Sequence, residues 1–139
     1  MSTSDTRGKT PSPSAMPAEI ERAVEAAQAK KAVDLVVLDL RSLNGFTDYF
    51  LICSGQNQRQ VKAIAEAVEE SLARSHRKPA HIEGSGRADW ILLDYFDFVV
   101  HIFNPDTRAF YGLERLWGSA ERLEVVDVDR RLPVKAEQD

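Results

Sequence analysis

Residues 90–103 read WILLDYFDFVVHIF, and the architecture turns on them. Residues 90–94 and 98–103 are runs of branched, leucine and aromatic side chains. Tyr95-Phe96-Asp97 between them is too short for anything but a tight connection, so the stretch predicts an antiparallel hairpin. The second run is apolar on both faces except at His101. That is the pattern of a central strand covered on both sides. Such a sheet needs helices to cover it, and the flanking sequence supplies them.

Upstream, Val61, Ile64, Ala65, Val68 and Leu72 recur at helical spacing, with Lys62, Glu66, Glu69 and Glu70 off that stripe. An amphipathic helix follows, capped at Asn57 or the serine before it and running to Lys78-Pro79. Further back, residues 34–40 and 48–53 predict two strands joined through an Asn44-Gly45 turn signal. Pro17 opens an earlier helix, with Ile20, Val24 and Ala27 on one face, ending near Lys31. Residues 80–83 suit a short edge strand before the Gly84-Ser85-Gly86 loop. Downstream, Asn104-Pro105 starts a last helix that Gly118 ends, with Phe110, Leu113 and Trp117 as its buried stripe. The order predicts an α/β (α+β) fold: one mixed sheet of about five strands packed by helices.

The 139-residue chain is long enough for one domain, placed at 17–118. Residues 1–16 are rich in serine, threonine and proline and read as a disordered tail. Residues 119–139 read as an acidic extension. The longest apolar runs are far too short to span a membrane, and the N-terminus has no apolar segment of a secretory signal. The one cysteine, Cys53, has no internal partner for a disulfide. These features point to the cytoplasm.

Lys and Arg total 18 against 22 Asp and Glu, a net charge of −4. Surface binding of naked nucleic acid draws on a basic excess, so direct sequence-specific nucleic-acid binding is not expected. An acidic domain is better matched to a basic protein.

Catalytic patterns are sparse. Cys53 lies inside an apolar strand, where cysteine usually acts as a small hydrophobe. His81 and His101 could be neighbours across the sheet, but no Cys, Asp or Glu cluster at metal-ligand spacing accompanies them. One constellation competes with a binding role. Gly84-Ser85 followed by Asp94 and Asp97 has the components of a metal-dependent nucleotidyltransferase, a phosphate loop and two metal-binding carboxylates. Residues three apart on a strand face opposite ways, however, so the two acids are out of phase for a shared metal and suit the ends of a hairpin turn.

Aromatic residues crowd between Trp90 and Trp117. Some must be core. Tyr111 falls off the buried stripe of the last helix, with Arg108 and Arg115 near it. A sheet face bearing Trp and Tyr beside Arg and Asp has the composition of a protein-binding hot spot. The alternative is a small satellite core, and composition alone leaves the two even.

The runs TDYFLICSGQNQRQVKAIAEAVEE (47–70), ADWILLDYFDFVVHIF (88–103) and RAFYGLERLWG (108–118) resemble the ribosomal silencing factor, or iojap, family. Three separated motifs occur in order, and the likeness spans about residues 18–118. The resemblance implies a binding protein without catalysis, cofactor or metal, on a nucleotidyltransferase-like fold lacking its catalytic acids. It implies docking on the large ribosomal subunit through large-subunit ribosomal protein fourteen, which blocks joining of the small subunit and represses translation. The docking surface carried over by motif would centre on Trp90, with Tyr95 and Tyr111 next and Asp94, Arg108 and Glu114 as a polar rim. Phe96 could be core or contact. Thr47 and Asp48 are read as bonding nearby amides at a strand start. An exposed aromatic face would also suit a homodimer off the ribosome.

Overall fold

In the computed structural model, residues 16–43 and 47–125 are described. Residues 1–15, the Asn44-Gly45 turn and most of the 119–139 extension lie outside them. The elements run α1 (Ala18–Ala29), β1 (Val33–Asp39), β2 (Tyr49–Ser54), α2 (Gln58–Ala73), β3 (His81–Glu83), β4 (Trp90–Asp94), β5 (Phe98–Phe103), α3 (Pro105–Tyr111), α4 (Leu113–Leu116) and β6 (Glu121–Leu123). One mixed sheet takes the order β3-β4-β5-β2-β1-β6. Only β2 and β5 are parallel, joined through α2 and the β3–β4 hairpin; every other neighbour is antiparallel.

β5 is buried along its whole length, as is β2 beside it. Their side chains alternate between two apolar layers. On one face Val37, Leu51, Cys53, Ile91, Leu93, Val100 and Ile102 meet Ile20, Ala23 and Val24 of α1 and Val61, Ile64, Ala65, Val68 and Leu72 of α2. Full burial of each large side chain there contributes roughly 1.5–3 kcal/mol. On the other face Leu38, Leu40, Phe50, Ile52, Val99 and Phe103 have a lighter cover: Trp90, Leu92, Leu113 and Trp117. No described helix is long and apolar enough to cross a membrane.

Helix ends show why these elements stop where they do. Asn57 Oδ1 accepts from Gln60 N at 2.9 Å, while Gln60 Oε1 accepts from Gln56 N at 2.6 Å. The Gln60 amide also donates to the carbonyls of Lys30 and Lys31, so it caps α2 and ties down the end of α1. α2 ends at Ala73, short of the Lys78-Pro79 stop read from sequence. His76 adopts φ 64°, and Arg77 N returns to Leu72 O at 2.9 Å. This Schellman-type closure satisfies orphan carbonyls without proline.

Three further expectations need correction. The last helix is two short ones. Gly112 takes φ 57°, ends α3 and begins α4, a conformation open to glycine at little cost. The sheet has six strands, the sixth lying in the segment read as a C-terminal extension: Leu123 pairs with Val37 and is buried in the helix-side core. Met16, assigned to the tail, is also buried there. Both core residues stand outside the 17–118 domain bounds, where local hydrophobic pattern is too thin to signal them.

Candidate docking site

The lightly covered face of the sheet carries the candidate site. Trp90 begins β4, opposite Phe103 of β5, and Leu92 pairs with His101. Trp90 and His101 are thus diagonal neighbours on one face. The Trp90 indole Nε1 donates to His101 Nδ1 at 3.1 Å. Its ring stacks on Phe103 with centroids 4.9 Å apart, and Tyr111 of α3 leans on it at 4.7 Å. Behind it His101 meets Phe50 edge-on at 4.5 Å, and Phe50 meets Trp117 at 5.8 Å. Phe110 stands against Tyr111 at 5.0 Å. The aromatics thus form one layer from Trp117 to Phe110, buried in the middle and open at the Phe110 end.

Burial pushes the His101 pKa down to about 3, so the ring is neutral. With Nδ1 accepting from Trp90, the proton sits on Nε2, which has no hydrogen-bond partner among the described residues. His101 does not meet His81, which bonds Glu83 on the exposed edge strand.

α3 is set beside Trp90 by the residue preceding it. Asp89 O accepts from Asn104 N at 3.0 Å, and Asp89 Oδ1 accepts from Asn104 Nδ2 at 3.1 Å. Asn104 Oδ1 in turn caps α3 at Thr107 N, 2.8 Å. An open groove of about 590 Å³ results, with Trp90, Phe110 and Tyr111 along it and Arg87, Asp89 and Asp106 at its rim. Phe110 is 79% exposed, Tyr111 48% and Leu116, on α4, 73%. Phe110 was expected in a buried stripe. The break at Gly112 rotates α4 relative to α3, so Leu113 and Trp117 pack on the sheet while Phe110 turns to solvent.

The remaining sequence-derived residues separate. Tyr95 is 2% exposed. It follows Asp94, so alternation sends it to the opposite, helix-covered face, where its ring stacks on Phe98 at 4.9 Å. It is not part of a surface with Trp90. Its buried hydroxyl has no hydrogen-bond partner among the described residues, and burial raises its pKa to about 12. Asp94 Oδ1 accepts from Phe96 N at 2.8 Å, a hairpin-turn role. Arg108 and Glu114 form a bidentate pair at 2.7 and 3.3 Å, and Arg108 also donates to Ser54 Oγ at 2.8 Å. The pair holds α3 and α4 to the end of β2. Phe96 is at the surface, 74% exposed. Thr47 Oγ1 donates to the Phe96 carbonyl at 2.7 Å, a cross-chain tie in place of a local amide contact.

The carboxylates of the nucleotidyltransferase reading point to different partners. Asp97 Oδ1 accepts from Arg77 Nη2 at 2.8 Å, and Arg77 also holds Glu19 at 2.6 Å and the Tyr95 carbonyl at 2.9 Å. Asp94 is occupied by the turn. Among the described residues no three His, Cys, Asp or Glu come together as a metal site.

The sequence reading missed Phe110 as surface and His101 as the anchor of Trp90. The second was within reach: once the hairpin is registered on its short turn, Trp90 and the single polar residue of β5 fall on the same face.

Comparisons with known proteins bear on the family and the fold. The sequence profile of the family described as "Ribosomal silencing factor during starvation" matches residues 13–139. A ribosomal silencing factor of Halalkalibacterium halodurans is 38% identical over 109 residues, 78% of this chain and 93% of that one. One from Bacillus subtilis is 40% identical over 98 residues, 70% of this chain and 83% of that one. The chloroplastic protein Iojap of Zea mays is 37% identical over 101 residues, 73% of this chain and 44% of that longer one. A crystal structure of a Bacillus halodurans protein superposes with a TM-score of 0.68 at 37% identity, covering 76% of this chain and 96% of that one. A Chromobacterium violaceum crystal structure gives 0.70 at 31% identity, covering 79% and 92%. On sequence profile, relatives and fold together, this chain belongs to the ribosomal silencing factor family.

Proposed function

We propose that the protein docks on the large ribosomal subunit through the Trp90–Tyr111–Phe110 face, on large-subunit ribosomal protein fourteen, and blocks joining of the small subunit. The observation that carries this reading is Trp90 itself. Its one hydrogen-bonding group is already satisfied by His101, so a partner can cover the partly buried ring without stranding a polar atom. Aromatic residues fixed in this way are typical interface hot spots. Phe110 and Tyr111 widen the apolar patch, and exposed apolar patches of this kind mark interaction surfaces.

The action is steric and uses no catalytic step. A body of roughly 15 Å radius of gyration seated at a subunit interface excludes the other subunit. The net charge of −4 favours encounter with a basic ribosomal protein. The site of action is the cytoplasm, where ribosomal subunits meet. Off the ribosome, the same aromatic face serves for self-pairing.

Sedimentation with separated subunits, followed by light scattering as the subunits are mixed, tests the reading. Co-sedimentation with the large subunit alone and slowed joining are expected. Binding to neither subunit would overturn it. Light scattering of the free protein reads the dimer at the same time.

A further inference from the structure

On the other side of α3 from Trp90 lies a groove of different chemistry. It is about 550 Å³, and its lining includes three arginines, Arg108, Arg115 and Arg122, and two acids, Asp34 and Glu114, beside Ser54. These three arginines come from α3, α4 and β6, and the fold brings them together. Arg108 is neutralised by Glu114. Arg115 and Arg122 are exposed, and no ion pair occupies either among the described residues. The Arg115 guanidinium lies back over Gly112: a Cβ there would be 2.7 Å from Arg115 Nη2. The left-handed glycine therefore makes room for that head group at the groove wall. The Arg108 hydrogen bond holds the Glu114 carboxyl below the usual range, with a smaller contribution from the nearby charge of Arg122. Three arginines against two acids leave this groove with a net charge of +1 on a chain whose total is −4.

We propose that Arg115 and Arg122 grip the phosphodiester backbone of ribosomal RNA next to the docked protein partner. This rests on the docking reading above. The large subunit is mainly RNA, and an acidic body approaching it is repelled wherever its surface is uniformly negative. Two exposed guanidinium groups that hold no hydrogen-bonded ion pair among the described residues offset that repulsion where it matters, because α3 carries Tyr111 toward Trp90 and Arg108 toward this groove. Guanidinium is suited to phosphate through paired N–H donors. The contact is to backbone and carries no sequence preference. It adds a phosphate grip to a domain whose overall charge argued against nucleic acid.

The experiment measures large-subunit affinity against monovalent salt at fixed magnesium, for the full chain and for the double variant Arg115→Ala/Arg122→Ala. Each phosphate contact contributes roughly 0.7–0.9 to the slope of log K on log salt. The double variant is expected to flatten the slope by about 1 to 2 and to weaken binding about tenfold or more at 0.1 M salt. Tyr111→Ala is expected to weaken binding with the slope unchanged. Parental slope and affinity in the double variant would overturn the proposal and leave the docking reading standing.

A second measurement is independent of the ribosome. The parent chain is titrated at low salt with a short RNA duplex, and backbone amide resonances are followed. Shifts at Gly112, Arg115 and Arg122 are expected. Their absence would overturn the phosphate assignment. Equal shifts with poly-glutamate would assign the groove to an acidic protein segment and overturn it too. RNA shifts without any large-subunit binding would overturn the docking reading and with it the assignment to ribosomal RNA.

Discussion

The indole N–H of Trp90 ends on Nδ1 of His101, 3.1 Å away on the adjacent strand, and this bond fixes both partners. It sets the imidazole tautomer and holds the indole flat on Phe103. The exposed part of Trp90 is thus presented by a buried residue that a docked partner would not reach.

That arrangement makes stability depend on pH in a stated direction. His101 has its pKa depressed to about 3 by burial, while an unfolded histidine titrates near 6.5. Below that value the unfolded chain binds the extra proton and the folded one does not. The contribution is therefore fully present above about pH 6.5 and is lost as pH falls toward 3, with a slope of at most ~1.4 kcal/mol per pH unit. Urea midpoints measured from pH 7.5 to 5 should fall in the parent and stay nearly flat in His101→Phe. A parallel fall in both would refute the assignment to His101.

Exposed aromatics separate docking from folding. Phe110→Ala removes a ring that is mostly in solvent and should change stability by no more than about 0.5 kcal/mol. Tyr111→Ala exposes part of Trp90 and should cost about 1 kcal/mol in stability. Each should weaken large-subunit binding, Tyr111→Ala by at least ~2 kcal/mol as hot-spot truncations do. Calorimetric melting beside subunit co-sedimentation reads both quantities. Parental binding by both variants would place the docking surface elsewhere.

Tyr95→Phe tests the opposite face. The buried hydroxyl has no hydrogen-bond partner among the described residues, and an unsatisfied polar group costs about 1–3 kcal/mol. The variant should be more stable than the parent by about 1 kcal/mol and bind subunits as the parent does. Weaker subunit binding by a stably folded Tyr95→Phe would return this residue to the docking surface.

Gly84→Ala should be damaging. Gly84 has φ 88°, and a Cβ there would fall 1.9 Å from the Trp90 carbonyl oxygen. That neighbour is backbone and cannot rotate away. A loss of at least ~2 kcal/mol is expected, with β3 and the start of β4 showing the largest gain in amide hydrogen exchange. Parental stability would mean that the turn rearranges freely.

Much of this fold was legible in one dimension. The stripe of Val61, Ile64, Ala65, Val68 and Leu72 is the buried face of α2 residue for residue. The hairpin in 90–103 and the two-sided burial of β5 follow from period-two alternation and its absence. β6 left little trace, because an edge strand of three residues with one buried side chain makes almost no pattern. The break at Gly112 was equally hidden: Phe110, Leu113 and Trp117 keep helical spacing across it.

The amino-acid sequence alone determines α1, α2 and the strands β1 to β5, because capping, turn chemistry and hydrophobic period act over a few residues. It also carries the family, through three motifs in order. Which aromatics face solvent depended on how segments meet. Tyr95 follows Asp94 onto the helix-covered face, Phe110 turns outward at a left-handed glycine, and Trp90 finds His101 only through strand register. Arg108, Arg115 and Arg122 share a groove because α3, α4 and β6 converge on the end of β2. Contacts of that range are set by packing between elements, and no local window of sequence contains them.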